Sequence, residues 1–108
     1  LVPMLMAGCQ GGTHASSGVV PELTRTIFDL ATSGRAQEAF TLQYRLLELF
    51  DAIFAAGDFP EGFRLAASLR GFDFGAGRQP MTPEQRAKLA VGRAEIERLL
   101  VAGGFTKG

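Results

Sequence analysis

The sequence predicts a mostly α-helical chain in which one short glycine-rich strand precedes four helices. Apolar residues recur three and four positions apart over most of its 108 residues, which is the period of an amphipathic helix. Proline and glycine stand at the starts and ends of these periodic segments, where helices favour them. Residues 8–18 depart from the pattern, because glycine is too frequent there for a helix interior.

Charge and cysteine content limit the expected partners and compartment. The chain has 11 lysine and arginine residues against 11 aspartate and glutamate residues. It therefore lacks the basic excess that draws proteins to nucleic acid or anionic lipid, and we expect no nucleic-acid and no membrane partner. The single Cys9 cannot form an internal disulfide, which favours the reducing cytoplasm as the location.

The first six residues form an apolar opening. They are far fewer than the roughly 20 residues that cross a bilayer, and no basic residue precedes them as in a signal peptide. This opening is typical of the end of an apolar helix. We therefore expect the chain to be a fragment or a processed product.

The first long periodic segment begins at Pro21 and ends before Gly34. The fixed φ of proline suits a first helical turn, and the helix dipole favours a carboxylate such as Glu22 there. Glycine at residue 34 ends the helix, since it adopts the left-handed conformation common just past a helix end. The residues of the apolar face are Leu23, Ile27, Leu30 and Ala31.

A long helix over residues 35–56 carries the strongest periodicity. Its two adjacent apolar stripes form an arc wider than a surface helix needs, so we expect it to be covered from two directions. One stripe consists of Ala39, Leu42, Leu46, Leu49 and Ile53, and the other consists of Phe40, Leu47, Phe50 and Phe54.

Two further helices follow a break at residues 57–60. Residues 61–69 form the shorter one, and residues 72–80 form a connecting loop with glycine, proline and aromatics but no period. The last helix begins at Thr82, which can cap it. Gln85 stands three residues later and completes the pattern of a capping box.

The glycine-rich segment offers little for metal or cofactor chemistry. His14 has only Cys9 within reach along the chain, whereas catalytic zinc takes three protein ligands, and Cys9 is expected to be a small buried hydrophobe. Both nucleotide-binding fingerprints are missing, so we expect no cofactor. Ser16 and Ser17 could bind a small oxygenated ligand, or could satisfy backbone groups at the following helix start.

Residues 8–22 resemble the eighth barrel strand and the start of the following helix in the dihydrodipicolinate synthase / N-acetylneuraminate lyase family. Three later segments resemble the same family in the same order. Residues 33–39 are similar to the start of its long helix, and residues 63–66, Phe-Arg-Leu-Ala, stand where members have Val-Lys-x-Ala. Residues 77–83 resemble the Arg-x-Pro segment before its last helix.

This resemblance implies an α/β fold, a (β/α)8 barrel with a C-terminal helical appendage, of which this chain is the last part. Residues 1–34 would be the end of the barrel, with the end of helix seven, strand eight and helix eight, and residues 35–108 would be the three-helix appendage. The resemblance also implies a lyase or aldolase that binds pyruvate or another 2-oxo acid through a lysine Schiff base. Relatives are usually homo-oligomers.

The family's lysine lies on an earlier strand, so the resemblance implies that this chain is inactive alone. The lysines present, Lys88 and Lys107, stand on the last helix and in the tail. Neither stands in an apolar pocket of the kind that lowers the pKa of an amine and makes it nucleophilic.

Strand alternation leaves two possibilities for the side chains that face a barrel interior. One set is Gly12, His14 and Ser16, and the other is Thr13, Ala15 and Ser17. An inward His14 could orient a substrate carboxylate or hydroxyl, and an outward one would pack under the following helix. We take His14, Ser16 and Ser17 as the candidate substrate-binding residues.

A lone strand leaves backbone groups unpaired on both sides, and burying them without partners costs roughly 1 to 3 kcal/mol each. Residues 1–18 are therefore expected either to pair with another segment, such as the missing N-terminal part of a barrel, or to be poorly ordered. The alternative function is a stand-alone helical-bundle interaction module with the glycine-rich run as a flexible arm.

Overall fold

The computed structural model describes residues 1–107, which form five α-helices and one short 3₁₀ turn. No β-strand is present within that range. The helices are α1 (Val2–Met6), α2 (Pro21–Thr32), α3 (Ala36–Ala56), α4 (Glu61–Leu69) and α5 (Pro83–Ala102), and the 3₁₀ turn is Ala15–Gly18. The four helices predicted after the glycine-rich segment are confirmed as α2 to α5. The chain divides into two compact units at residues 48 and 49, within α3.

The first unit is built on α2. Helix α1 packs against it, and the side chain of Val2 is fully buried. The backbone N–H of Val2 donates a 2.7 Å hydrogen bond to Oε1 of Gln43 on α3, which fixes the start of α1. The buried apolar residues of this unit are Val2, Val19, Val20, Leu23, Ile27, Ala39 and Leu46.

The second unit contains the end of α3, with α4 and α5 packed together. Two glycines allow its helices to approach closely. A Cβ at Gly62 of α4 would collide with the carbonyl oxygen of Ile53, and a Cβ at Gly92 of α5 would collide with Ala56. The buried apolar residues of this unit are Leu49, Ile53, Ala56, Phe63, Ala66, Ala67, Ile96 and Leu100.

The predicted helix ends are confirmed by local hydrogen bonds. Gly34, with φ of 81°, follows α2, and the N–H of Arg35 donates to the carbonyl of Leu30 at 2.9 Å. At the start of α5 the N–H of Gln85 donates to Oγ1 of Thr82 at 3.2 Å. The N–H of Thr82 donates in return to Oε1 of Gln85 at 2.8 Å, which completes the capping box.

The strand predicted between residues 11 and 17 is not formed. Its second half is the 3₁₀ turn, and residues 9–14 have no regular structure. A strand needs a partner for its ladder hydrogen bonds, and no described residue supplies one. Residues 1–18 are also not simply disordered, because α1 and the 3₁₀ turn both pack against α2. Cys9 is exposed, so its expected role as a buried hydrophobe is wrong.

The second apolar stripe of α3 is only partly covered by the described residues. Ala39, Leu46, Leu49 and Ile53 of the first stripe are buried. In the second stripe, Phe40 and Phe50 are half-buried, whereas Leu47 and Phe54 are exposed. The described residues therefore cover one stripe of α3, and cover of the second stripe stays a prediction.

Two exposed ion pairs on helix surfaces shift the pKa of one partner each. The hydrogen bond and charge of Glu38 raise the pKa of Arg35 above its usual value. The hydrogen bonds from Arg98 lower the pKa of Glu95 below its usual value. Both pairs join residues three apart, so they support the helices locally.

Replacing Gly62 with alanine should destabilise the protein. In an ordinary helix interior this change stabilises by roughly 0.5–1 kcal/mol. Here the added methyl group meets the carbonyl of Ile53, so we expect a loss of about 1–3 kcal/mol. Urea unfolding followed by circular dichroism measures it. The control is Gly11→Ala, whose methyl would meet nothing within 4 Å. Equal or greater stability of Gly62→Ala would contradict the close approach of α3 and α4.

Replacing Arg98 with glutamine should raise the pKa of Glu95 to that of an ordinary glutamate. The pKa of Glu95 is lower in the folded state, so the pair stabilises the helix above the unfolded pKa. That contribution is lost as the pH falls through the folded pKa. Carboxyl ¹³C NMR of Glu95 against pH measures the midpoint, with Arg93→Gln as a control on the same helix. An unchanged midpoint in Arg98→Gln would show that Arg98 is not the cause.

Candidate functional site

The candidate site lies where the glycine-rich segment enters α2. His14 is extended, with φ of −133° and ψ of 124°, and it precedes the 3₁₀ turn. Its carbonyl oxygen accepts two hydrogen bonds from Ser17, from the N–H at 3.2 Å and from Oγ at 2.6 Å. The hydroxyl of Ser17 therefore fixes the backbone at the turn, as expected of a serine near a helix start.

The imidazole of His14 rests against Gly12. A Cβ built at Gly12 would lie 2.6 Å from Nε2 of the ring, so a larger residue at position 12 would require the imidazole to move. Nε2 is buried and has no hydrogen-bond partner among residues 1–107. The contact makes Gly12 part of the site, because it determines where the ring can lie.

Ser16 is the buried polar residue of the site. Ser16 is 2% exposed, and its Oγ has no hydrogen-bond partner in the described part of the chain. Its carbonyl, by contrast, accepts bonds from the N–H groups of Val19 at 2.9 Å and Val20 at 2.8 Å. A buried hydroxyl without a partner costs about 1–3 kcal/mol, so Ser16 weakens the fold where it stands.

A shallow concavity of about 270 Å³ lies beside these residues. His14 and Ser17 line it, and Ser16 does not. It is bounded by Leu1, Gly11, Gly12, His14, Ser17, Pro21, Thr24, Arg25 and Phe28. The predicted site residues therefore separate into two that border open space and one that is enclosed.

Sequence reasoning missed the α2 side of this concavity. Pro21, Thr24, Arg25 and Phe28 follow the spacing of one helix face, and that spacing is a signal that could have found them. Asp29 accepts a 3.1 Å hydrogen bond from Nε of Arg25, whose guanidinium carbon lies 5.5 Å from the centre of the Phe28 ring. These contacts hold the guanidinium at the rim.

The backbone ahead of His14 has unused hydrogen-bonding capacity. Among the described residues, the N–H and C=O groups of residues 10–13 make no hydrogen bond. Backbone groups of this kind are paired in nearly all folded proteins unless water reaches them. Residues 10–13 are exposed here, so their backbone is available to a neighbouring strand.

The second unit has a groove of its own beside the loop before α5. Glu61 and Arg64 form an ion pair at 3.6 Å, and Arg64 donates to the carbonyl of Gly75. A Cβ at Gly77 would collide with the carboxylate of Glu61, so the loop lies directly on this pair. These contacts fasten the loop and explain why both charged residues are partly buried. Arg78 borders the groove and is exposed.

Nucleophilic and metal-ligating groups are sparse. Lys88 and Lys107 are both exposed. In residues 1–107 no three or more His, Cys, Asp or Glu side chains are grouped so that they could hold a metal ion. None of the helices in the described range combines the length and the apolar character that a membrane span requires.

Comparison with known proteins identifies the family. The model of the Dihydrodipicolinate synthetase family matches residues 1–99. The chain belongs to this family, which confirms the resemblance drawn from residues 8–22 and the three later segments.

The curated relatives are lyases and synthases of much greater length. The chain is 35% identical over 83 residues to the 4-hydroxy-tetrahydrodipicolinate synthase of Exiguobacterium sp. AT1b, covering 77% of this chain and 28% of that protein. It is 28% identical over 97 residues to the enzyme of the same name from Clostridium novyi, covering 90% of this chain and 32% of that protein. It is 31% identical over 87 residues to an uncharacterized DapA-like lyase of Thermofilum pendens, covering 80% of this chain and 29% of that protein.

The chain thus spans about a third or less of the length of these relatives, and it matches their C-terminal part. No solved structure matches it significantly. Membership of the family is therefore a property of this chain, while the relatives' activity belongs to polypeptides about three times as long.

Replacing Ser16 with alanine should stabilise the isolated chain by about 1 kcal/mol, because it removes a buried hydroxyl that has no partner. Thermal unfolding followed by circular dichroism measures the change. Ser17→Ala is the control and should destabilise by a similar amount, since it removes a 2.6 Å hydrogen bond. Destabilisation by Ser16→Ala would mean that its hydroxyl has a partner in solution.

Proposed function

We propose that this chain is the C-terminal part of a pyruvate-dependent Schiff-base aldolase or lyase. The observation that carries the proposal is the family match over residues 1–99, which includes the candidate site and the helices after it. The substrate class is pyruvate or another 2-oxo acid. In this arrangement residues 1–34 complete the barrel and residues 35–108 form the helical appendage.

The chemistry requires a lysine that this chain does not provide. In a Schiff-base enzyme the lysine amine attacks the ketone carbon of the 2-oxo acid, water leaves, and the resulting imine stabilises a carbanion at the neighbouring carbon. The amine must be desolvated or beside another cation to be nucleophilic at neutral pH. Lys88 and Lys107 are exposed, so we infer that the chain is inactive alone.

His14, Ser16 and Ser17 are proposed as the substrate-contacting residues of this part. His14 and Ser17 border the concavity of about 270 Å³, which supports contact with a small oxygenated molecule. Ser16 does not border it, and its proposed role rests on its Oγ, which is buried without a partner among residues 1–107. His14 would orient a carboxylate or hydroxyl of the substrate. The serines would bind its oxygen atoms.

The free backbone of residues 10–13 supports the same proposal. An exposed segment without ladder bonds offers its N–H and C=O groups to a strand of a barrel. The partner is then the N-terminal barrel segment, and the complete enzyme is proposed to be a cytoplasmic homo-oligomer. The alternative function, a stand-alone helical interaction module, is not favoured because family membership extends over the glycine-rich segment as well as the helices.

A chimera with the Exiguobacterium relative tests this function. The aligned C-terminal segment of the relative is replaced by the present chain. The resulting chimera is treated with pyruvate and sodium borohydride, which reduces an imine to a stable amine. We expect one covalent pyruvate adduct on the chimera and none on the chain alone, as measured by intact mass spectrometry.

The matched control is the relative's N-terminal part without this chain, which should give no adduct. A folded chimera that forms no adduct would contradict the proposed function. Labelling of the isolated chain would contradict the proposal that its lysines are not nucleophiles.

A further inference from the structure

The groove of the second unit, beside the loop before α5, carries two arginines. Its volume is about 370 Å³, and Arg64 and Arg78 line it together with Glu61. We call it the arginine groove. Pockets that bind small molecules usually have volumes of roughly 300–1,000 Å³, so the groove is large enough for one. None of its lining residues borders the concavity at His14 and Ser17, so the proposed function does not account for it.

Arg64 has hydrogen-bond donors that the described residues do not use. Its side chain is 25% exposed, and its Nε lies 3.6 Å from Oε2 of Glu61. Its Nη2 donates to the carbonyl of Gly75. The guanidinium has further N–H donors on Nη1, and these make no hydrogen bond within residues 1–107. The fold therefore holds a largely buried cation in one position, and its remaining donors suit an anionic acceptor.

The charges of the arginine groove favour a ligand with a single negative charge. Glu61 is paired with Arg64, and its side chain is 14% exposed. Arg78 is exposed and makes no ion pair or hydrogen bond within the described part of the chain, so its charge is not compensated there. Asp73 does not line the groove, and its Oδ1 accepts a 2.8 Å hydrogen bond from the N–H of Gly75. One net positive charge matches a carboxylate better than a doubly charged phosphate.

The arginine groove also has an apolar part. Phe74 lines it and is 62% exposed, and Pro60 and Ala76 line it as well. An arginine fork binds the two oxygens of a carboxylate in one plane, and an aromatic ring packs well against another ring. We propose that the groove binds a small aromatic monocarboxylate, with its carboxylate on Arg64 and Arg78 and its ring against Phe74.

An NMR titration with sodium benzoate tests this site. The ¹⁵N-labelled chain is titrated at neutral pH and constant ionic strength, and its assigned backbone amides are followed in ¹H–¹⁵N spectra. We expect saturable shifts of the amides of residues 74–79, with a Kd of about 1 mM for so small a ligand. Benzamide has the ring without the charge, and acetate has the charge without the ring. Each should bind about tenfold or more weakly than benzoate.

Matched variants separate the role of the charge from that of the ring. Arg78→Gln should weaken benzoate binding by about threefold or more, whereas Arg86→Gln changes an exposed arginine of α5 outside the groove and should leave it unchanged. Phe74→Ser should weaken it by about threefold or more. Phe72→Ser is its control, because Phe72 is 60% exposed and does not line the groove. The spectrum of each variant reports whether it is folded.

Three results would overturn the aromatic carboxylate site. The first is the absence of saturable shifts at residues 74–79. The second is equal affinity for acetate or for benzamide, which would show that the groove recognises only the charge or only the ring. The third is unchanged benzoate affinity in folded Arg78→Gln or in folded Phe74→Ser, which would show that the ligand does not lie on that side chain.

Discussion

The hydrogen-bonding requirement of the backbone in residues 10–13 determines the conformation of the segment that leads into α2. A glycine-rich stretch gains little from side-chain burial, so its conformation depends on partners for its N–H and C=O groups. Without a neighbouring strand it remains exposed and irregular. The following residues then form a 3₁₀ turn, whose bonds are local, from Ser17 to His14 and from Val19 to Ser16. This is the conformation that such a segment adopts on its own.

The helical part of the chain could be predicted almost completely from the sequence, because helix starts and ends depend on neighbouring residues. Gly34 and the Thr82–Gln85 pair fix the helix ends by contacts within four or five positions, and these were predicted correctly. The prediction of a strand between residues 11 and 17 was wrong, because strand formation depends on a partner distant in sequence. The exposure of Cys9 has the same cause, since a residue of an unpaired segment has nothing to be buried against.

The candidate site was only partly predictable. The sequence alone selected His14, Ser16 and Ser17, but it could not distinguish an enclosed serine from one that borders a concavity. That distinction follows from how the 3₁₀ turn meets Val19 and Val20, which is a matter of packing. Arg25 was missed because its relevance lies in contacts along one face of α2. Gly12 was named only as a position that could face a barrel interior, and its contact with His14 depends on packing. Family membership, in contrast, followed from four short segments in the right order and spacing.

The start of α5 has a practical consequence for handling this protein. Because Thr82 and Gln85 cap the helix through each other, its first turn does not depend on the residues before it. The contacts of Arg64 and Glu61 hold the loop at Gly75 and Gly77, leaving the exposed residues 78–80 between two independently fixed points. An epitope or a small reporter domain inserted there would be tolerated, which gives a labelling position in the second unit.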